Sequence, residues 1–493
     1  MCASHTFTRA HTAAKVVLAQ DSQTWGLNRM TDPALLPATE LLAALRERRI
    51  SSRELLELQL QRIERYNRKL NALLSLDAER ALAEADVADE ARARGRDLGP
   101  LHGLPMTLRD TFEADSDAWM RLRAAGAIVF GTSNAPTLAP DGNFYNPPFG
   151  HTNNPWDLTH TTGGSAGGAA AALAAGLTNL ELGVDLAGTV RRPAHFSGVY
   201  GLKPSYGAVP GSDADMSAIG PLARGVDDLE LALDVLAGPD DQAAIAWNLE
   251  LPQPRAGWLG DYRVGVWLDD PAAPVDGEVL GVLRAAIDKL AEAGLEIVER
   301  PAPVPLDDAR RVHRELLMGV YCSGMAEGAF AALKQLAATT PHSEDESEAM
   351  YRARLLTQTK REWSDADLER RAMRERWAEL FLEFDAFLCP VAPHVAPPHD
   401  PNPELDARTV TINGEPRPYW DQLGWIAYAS AAYLPAVSVP VGLTSESRLP
   451  VGLQVIGPYL EDRTALDVAR RVSEVVGGFE APPPFVAPTA VRA

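Results

Sequence analysis

Short apolar runs alternate with helical stretches along almost the whole 493-residue chain, and this alternation constrains the fold more than any other feature. The runs Leu104–Leu108, Ala127–Phe130, Leu180–Val184, Gly198–Leu202 and Tyr262–Trp267 are bounded by turn residues and too short to be helices, which predicts buried strands. Strand-like runs return at Phe384–Leu388, Pro435–Val441 and Val451–Ile456. Helical stretches intervene at Gly167–Ala175, Val226–Leu236 and Val279–Ala293, and a last one covers about Ala465–Val476. Asp276 is placed to cap the third of these and Gly294 to end it. Residues 306–383 read as a long, mostly helical region broken around Thr339–Ser347. Residues 35–94 also carry helical periodicity: Ser51-Ser52 ahead of Glu54 caps the run Leu55, Leu56, Leu58, Leu60, Ile63. Strand and helix signals alternating in this way predict one α/β architecture on a largely parallel or mixed sheet.

Composition narrows the function classes. Forty-six Lys and Arg stand against 67 Asp and Glu, a net charge of −21, which argues against a nucleic-acid-binding surface. At 46% hydrophobic and 23% charged residues the chain can bury a sizeable core, so disorder is excluded as its main state. Cys2, Cys322 and Cys389 lie far apart, form no disulfide scaffold and no CxxC zinc site, and suit a cytoplasmic protein. No apolar run approaches the length of a membrane span. Residues 1–34 are expected to be an N-terminal extension that need not be ordered, with Met1 and Met30 both open as starts. Residues 35–480 are expected to form the domain, and 481–493 a loose Pro-rich tail.

The chemistry is concentrated in Thr161–Tyr206. Gly163-Gly164-Ser165-Ala166-Gly167-Gly168 is a glycine-rich turn opening a small-residue helix; an apolar strand follows, then a second small-residue loop, Asp185-Leu186-Ala187-Gly188-Thr189. Loops of this kind let backbone N–H groups converge on an oxyanion, and two hydroxyls on two such loops fit an acyl-transfer site. The plainer alternative is a pair of tight turns beside a closely packed alanine helix. Gly163–Gly167 also fits the G-x-S-x-G elbow, but the turn-rich Asn153–Asp157 precedes it rather than a strand. His195 is expected to be packed or on the surface rather than a base. No phosphate loop, HExxH or Asp/His metal cluster occurs, so no cofactor is expected.

The segments GGSAGG and GVDLAGTVRRPAHFSGVYGLKPSYG resemble the amidase signature family. So do LHGLPMTLRD at 101–110, RLRAAGAIVFGTSN at 121–134, NNPWD at 153–157, 220–239 and 434–466, and the likeness spans about 35–478. The resemblance implies a single large α/β domain, a mixed β-sheet core surrounded by helices. It also implies amide C–N cleavage by a nucleophilic serine, a bridging serine and an unprotonated lysine, through a covalent acyl-enzyme. Carried over position by position, the bridging serine is Ser165, with Ala166 where a second serine is usual. The nucleophile position is Thr189, 24 residues on, and the lysine position is Arg109.

Each departure has a physical consequence. Threonine can attack a carbonyl, but its methyl must be accommodated and restricts χ1. An arginine keeps its proton and has no acceptor lone pair, so Arg109 cannot be the general base; it can hold an anion or a carbonyl oxygen. In the expected oxyanion loop, Leu186-Ala187-Gly188, Ala187 replaces a glycine and would displace the donors if positive φ were needed there. Gly163 and Gly164 are expected to shape the other side of the site. Only Asp110–Met120 links the Arg109 motif to the next helix, so one wall is expected to be short. Hydrolysis is therefore expected to be weak, altered or redirected to another acyl transfer, the alternative being a pseudoamidase that binds a ligand or partner. The expected ligand is a small amide or acyl compound, without nucleic acid or membrane, and a homodimer is admitted. Tyr419, Trp420, Trp425 and Tyr428 are expected either to line an aromatic wall or to pack in the core.

Overall fold

The apolar runs pair into two sheets of one α/β domain. The computed structural model describes residues 32–112, 116–135, 145–146, 149–212, 214–341, 346–400, 402 and 405–486. The main sheet has eight strands in the spatial order Glu296–Glu299, Arg263–Val266, Ala386–Pro390, Pro450–Ile456, Ala436–Leu443, Tyr200–Lys203, Ala218–Ala223, Glu181–Asp185. It is mixed: the first three strands run parallel, and every other pairing is antiparallel. Helices Asp462–Val476, Gly277–Glu292 and Arg191–Ser197 pack on the two central strands. Helix Leu306–Ser323 packs on Ala427–Ala431, and Glu348–Leu356 and Lys360–Leu380 pack on it in turn as a further layer.

A three-stranded sheet, in the order Leu73–Leu76, Ile128–Ser133, Pro105–Arg109, abuts the Glu181–Asp185 edge. Side chains join the two sheets. Asn179 Nδ2 donates to the Pro105 carbonyl (3.0 Å), the Thr107 N–H to Thr178 Oγ1 (2.9 Å), and the Thr107 hydroxyl to the Glu181 carboxyl. Residue 105 sits by 179 and residue 107 by 181, so Arg109, at the end of its strand, is carried toward 183–185.

Most expected elements are present, with ends shifted by a few residues. Ser51 caps Ser52–Leu70 in a reciprocal capping box with Glu54, and Asp276 caps Gly277–Glu292. Three strands of these two sheets were not expected from the sequence. Ala218–Ala223 contains Gly220 and Pro221, residues that count against a strand. Gly220 is required there because a Cβ would stand 1.9 Å from the Leu202 carbonyl oxygen. Leu73–Leu76 interrupts the helical 35–94 region, and the edge strand Glu296–Glu299 is polar. At the chain ends, residues 1–31 of the expected extension and 487–493 of the expected tail lie outside the described residues. Residues 483–486 are not loose: Phe485 is buried against Tyr66, its ring 5.0 Å away, and its carbonyl accepts from Arg62.

Candidate active site

Two loops meet here, and each is held by buried side chains. In the first, Asn154 Nδ2 donates to the Thr161 carbonyl (3.0 Å) and the Phe196 carbonyl (2.8 Å), tying 153–161 to helix Arg191–Ser197. The Gly163 N–H donates to Thr161 Oγ1 (3.1 Å). Gly163 has φ +69°, and a Cβ there would lie 2.7 Å from the Phe196 ring, so only glycine fits. The Gly164–Ser165 peptide is cis, and Ser165 is buried at the head of helix Gly167–Ala174. No strand leads directly into Gly163, the nearest before it being Gly150–His151, so the elbow geometry is absent among the described residues.

The second loop is organised by Asp185. Its carboxylate accepts from the N–H groups of Gly188 (2.9 Å), Val190 (3.2 Å) and Arg191 (3.2 Å), and from the Arg191 side chain at 2.9 and 3.0 Å. Arg191 also donates to Gln454 Oε1 and Ser430 Oγ, both at 2.7 Å. Burial by itself would raise the Asp185 carboxyl, but the Arg191 guanidinium overrides it and holds the group down at about 2. Breaking such a pair by removing one partner costs about 3–5 kcal/mol. Gly188 takes φ +73° under Ile426, where a Cβ would meet Cδ1 at 2.4 Å. Ala187 does not have a positive φ, so the alanine sits in the loop without the expected displacement of donors.

The loops join at Thr189, whose carbonyl accepts from the Ala166 N–H (3.0 Å). Its hydroxyl donates to the Val184 carbonyl and accepts from the Leu186 N–H (3.2 Å). Two of the three expected oxyanion donors are thus engaged: the Leu186 N–H by Thr189 and the Gly188 N–H by Asp185.

Arg109 is buried, and its Nε has no partner among the described residues. Desolvation pushes its guanidinium down to about 10 while neighbouring Asp110 pulls it up, so it stays a cation at neutral pH. In the short Asp110–Met120 link, residues 113–115 lie outside the described residues.

Further groups reach the site from distant parts of the chain. Arg192, 2% exposed, donates from Nη1 to Gln422 Oε1 (2.6 Å) and from Nη2 to the Gly164 carbonyl (3.3 Å). The Tyr321 and Tyr419 side chains and the His394 ring lie near it. The His313 ring faces the Leu186 backbone and, with Arg314, Tyr351 and Trp420, lines a cavity of about 200 Å3. The four aromatic residues divide. Tyr419 and Trp420 flank these polar groups, whereas Trp425 and Tyr428 are core, the latter packed on Trp377 and Phe387. His195 is buried: Nδ1 accepts from the Gly452 N–H (2.8 Å), and Nε2 lies 3.1 Å from the His394 carbonyl. Burial holds it neutral, pushed down to about 4.

The sequence profile of the Amidase family matches residues 54–115 and 111–466. The chain belongs to the amidase signature family. Within that family it is 32% identical over 487 residues to a glutamyl-tRNA(Gln) amidotransferase subunit of Synechococcus sp. strain CC9902, covering 86% of this chain and 93% of the relative. It is also 32% identical over 475 residues to the indoleacetamide hydrolase of Bradyrhizobium diazoefficiens, covering 89% of this chain and 86% of the relative. Among solved structures, the crystal structure of an amidase superposes with a TM-score of 0.74 at 28% identity, over 90% of this chain and all of the other. One described as a vestigial protein complex that reveals the origins of an s-triazine catabolic enzyme gives 0.75 at 27%, again over 90% of this chain and all of the other.

Arg192 and the Asp185–Arg191 pair were not singled out from the sequence, though all three stand in the signature stretch. Two adjacent arginines in an otherwise small-residue segment were the available signal. Among the described residues no helix is long and apolar enough to cross a membrane, and no group of His, Cys, Asp or Glu is arranged to hold a metal ion.

Proposed function

We propose that this amidase-family chain takes a small amide or acyl compound between its two loops and turns it over weakly, or diverts it to another acyl transfer. The observation that carries this reading is Arg109. In the family route, Thr189 Oγ would attack the carbonyl carbon. Its proton would leave through Ser165 to a base and end on the departing amine as the C–N bond breaks. A buried guanidinium that is a cation at neutral pH cannot accept that proton, so the relay lacks its base.

A second reading, a pseudoamidase that binds a ligand or partner without turnover, is favoured by the Thr189 hydroxyl. That hydroxyl already donates its hydrogen to the Val184 carbonyl rather than toward Ser165. Labelling with a fluorophosphonate and mapping the adduct by mass spectrometry decides between them. Adduct on Thr189, absent in Thr189→Ala, supports acyl transfer. A folded protein that takes no label supports the binding reading. We place the protein in the cytoplasm. Its partners by this reading are the ligand and, as an arrangement open to test by sedimentation, a second copy of itself.

A further inference from the structure

The head of helix Gly167–Ala174 is buried and uncapped. Its first bond runs from the Ala170 N–H to the Ala166 carbonyl (3.0 Å), and no side chain caps the N-terminus. The N–H groups of Gly167, Gly168 and Ala169, all on buried residues, have no partner among the described residues. Buried helix ends ordinarily give such groups to a side chain, a water or a ligand. They also carry the positive end of the helix dipole, which favours an anion.

A cation without a partner stands at the same place. Arg109 is 8% exposed, its Nε is buried and unpartnered, and its Nη groups also form no hydrogen bond among the described residues. Asp110, next in the chain, acts on the charge through space and makes no ion pair with it. Two contacts bring the end of this strand to the helix head. Arg109 pairs with Ser133, and a Cβ on Gly168 would lie 2.4 Å from the carbonyl oxygen of Asn134, the next residue. The offset that sets 105 by 179 and 107 by 181 carries Arg109 to the level of Gly183. A Cβ on Gly183 would lie 3.0 Å from that of Ala166, the residue after Ser165. A buried guanidinium without a counter-charge is kept only against a strong penalty, so an anion at this point relieves both it and the helix end.

We propose that Arg109 and the head of helix Gly167–Ala174 form a carboxylate site, and that the chain binds a small carboxylic acid, as its anion, in preference to the matching amide. This rests on the reading of the site as a small-acyl pocket and names the form in which the acyl compound is held. The guanidinium and the three backbone N–H groups are donors with no acceptor to offer; only the Ser165 hydroxyl can turn either way. A carboxylate brings two acceptor oxygens and the missing negative charge, which a guanidinium meets through two parallel hydrogen bonds. An amide brings one acceptor oxygen, and its NH2 group faces further donors. The low polarity that desolvates Arg109 strengthens the charged pair and does little for the neutral one.

The test uses the full chain and matched probes at neutral pH. Propionate, butyrate and phenylacetate are compared with propionamide, butyramide and phenylacetamide, which have nearly the same shape and lack the charge. By calorimetry, at least one acid is expected to bind about tenfold or more tighter than its amide, the scale of a charged hydrogen-bonded contact. Arg109→Gln is expected to abolish that preference. Amides binding wild type as tightly as the acids would overturn the assignment, and this comparison needs no variant, so a misfolded Arg109→Gln does not blunt it. A preference that persists in a folded Arg109→Gln would move recognition to another cation and also overturn it. Equal binding of acids and amides leaves the small-acyl reading standing while this inference falls. Binding of neither removes both.

Discussion

Burial acts on the side chain at position 109 according to its chemistry. The desolvation that leaves the Arg109 guanidinium a cation at about 10 disfavours any charge there, and an ammonium starts from a lower pKa. A lysine in that place would be driven toward neutrality and gain the lone pair that the relay needs. The variant Arg109→Lys/Thr189→Ser is therefore expected to raise hydrolysis of simple amides by about a hundredfold, the usual scale of a positioned base. The rate should climb with pH through the lysine's own pKa. No gain in a folded double variant would shift the defect to the engaged Leu186 and Gly188 donors or to the short Asp110–Met120 link. Ser165, Thr189 and Arg109 are the positions to which the family resemblance points, each standing within a motif of its own. The surroundings of Arg192 were not legible, since Gln422 and Tyr419 reach it from some 230 residues away.

Whole elements depend on single buried contacts in the same way. Arg62, on helix Ser52–Leu70, forms an ion pair with Asp32 and donates to the carbonyls of Gly176 (3.1 Å), Ala175 (2.7 Å) and Phe485 (2.8 Å). One guanidinium thus joins the Pro33–Leu35 turn, the end of helix Gly167–Ala174 and the C-terminal turn Pro483–Phe485. Arg62→Ala strands three carbonyls and one carboxylate and is expected to destabilise the protein by about 3 kcal/mol or more. Limited proteolysis should then cut within 481–486 well before the core, and denaturant titration measures the loss; an unchanged midpoint would show that the ends do not rely on this contact. Nothing in the local sequence announces that an arginine on an amphipathic helix joins Asp32 to the Phe485 turn, which is why 483–486 read as loose. The missed Ala218–Ala223 strand has a similar cause. Gly220 and Pro221 look like breakers until the Leu202 carbonyl is known to pass so close that no side chain fits.

At the scale of the whole molecule, the −21 charge sits mostly on exposed carboxylates whose pairs are screened, so the pH response of stability is set by the few groups the fold desolvates. These act in opposite senses. His195, His313 and His394 are held neutral, pushed down to about 4 by burial, so the stability tied to them is present above about 6.5 and is lost as pH falls through about 4. Glu181 is the reverse: burial between the two sheets, against the opposing pull of Thr107, pushes its carboxyl up to about 8. Its protonated form is favoured in the folded state, so its contribution is complete below about 4.5 and fades as pH rises through about 8. Between those limits the unfolded chain has released a proton that the folded protein keeps, a slope of about 1.4 kcal/mol per pH unit against stability. Glu181→Gln keeps the acceptor for the Thr107 hydroxyl and removes the titration. Its unfolding free energy relative to wild type is therefore expected to rise by about that amount per pH unit from pH 5 to 8, then level off. Chemical denaturation of both proteins at four pH values measures it. A difference that stays constant across the range would mean that Glu181 is ionised in the folded protein and that the junction between the sheets carries a buried negative charge.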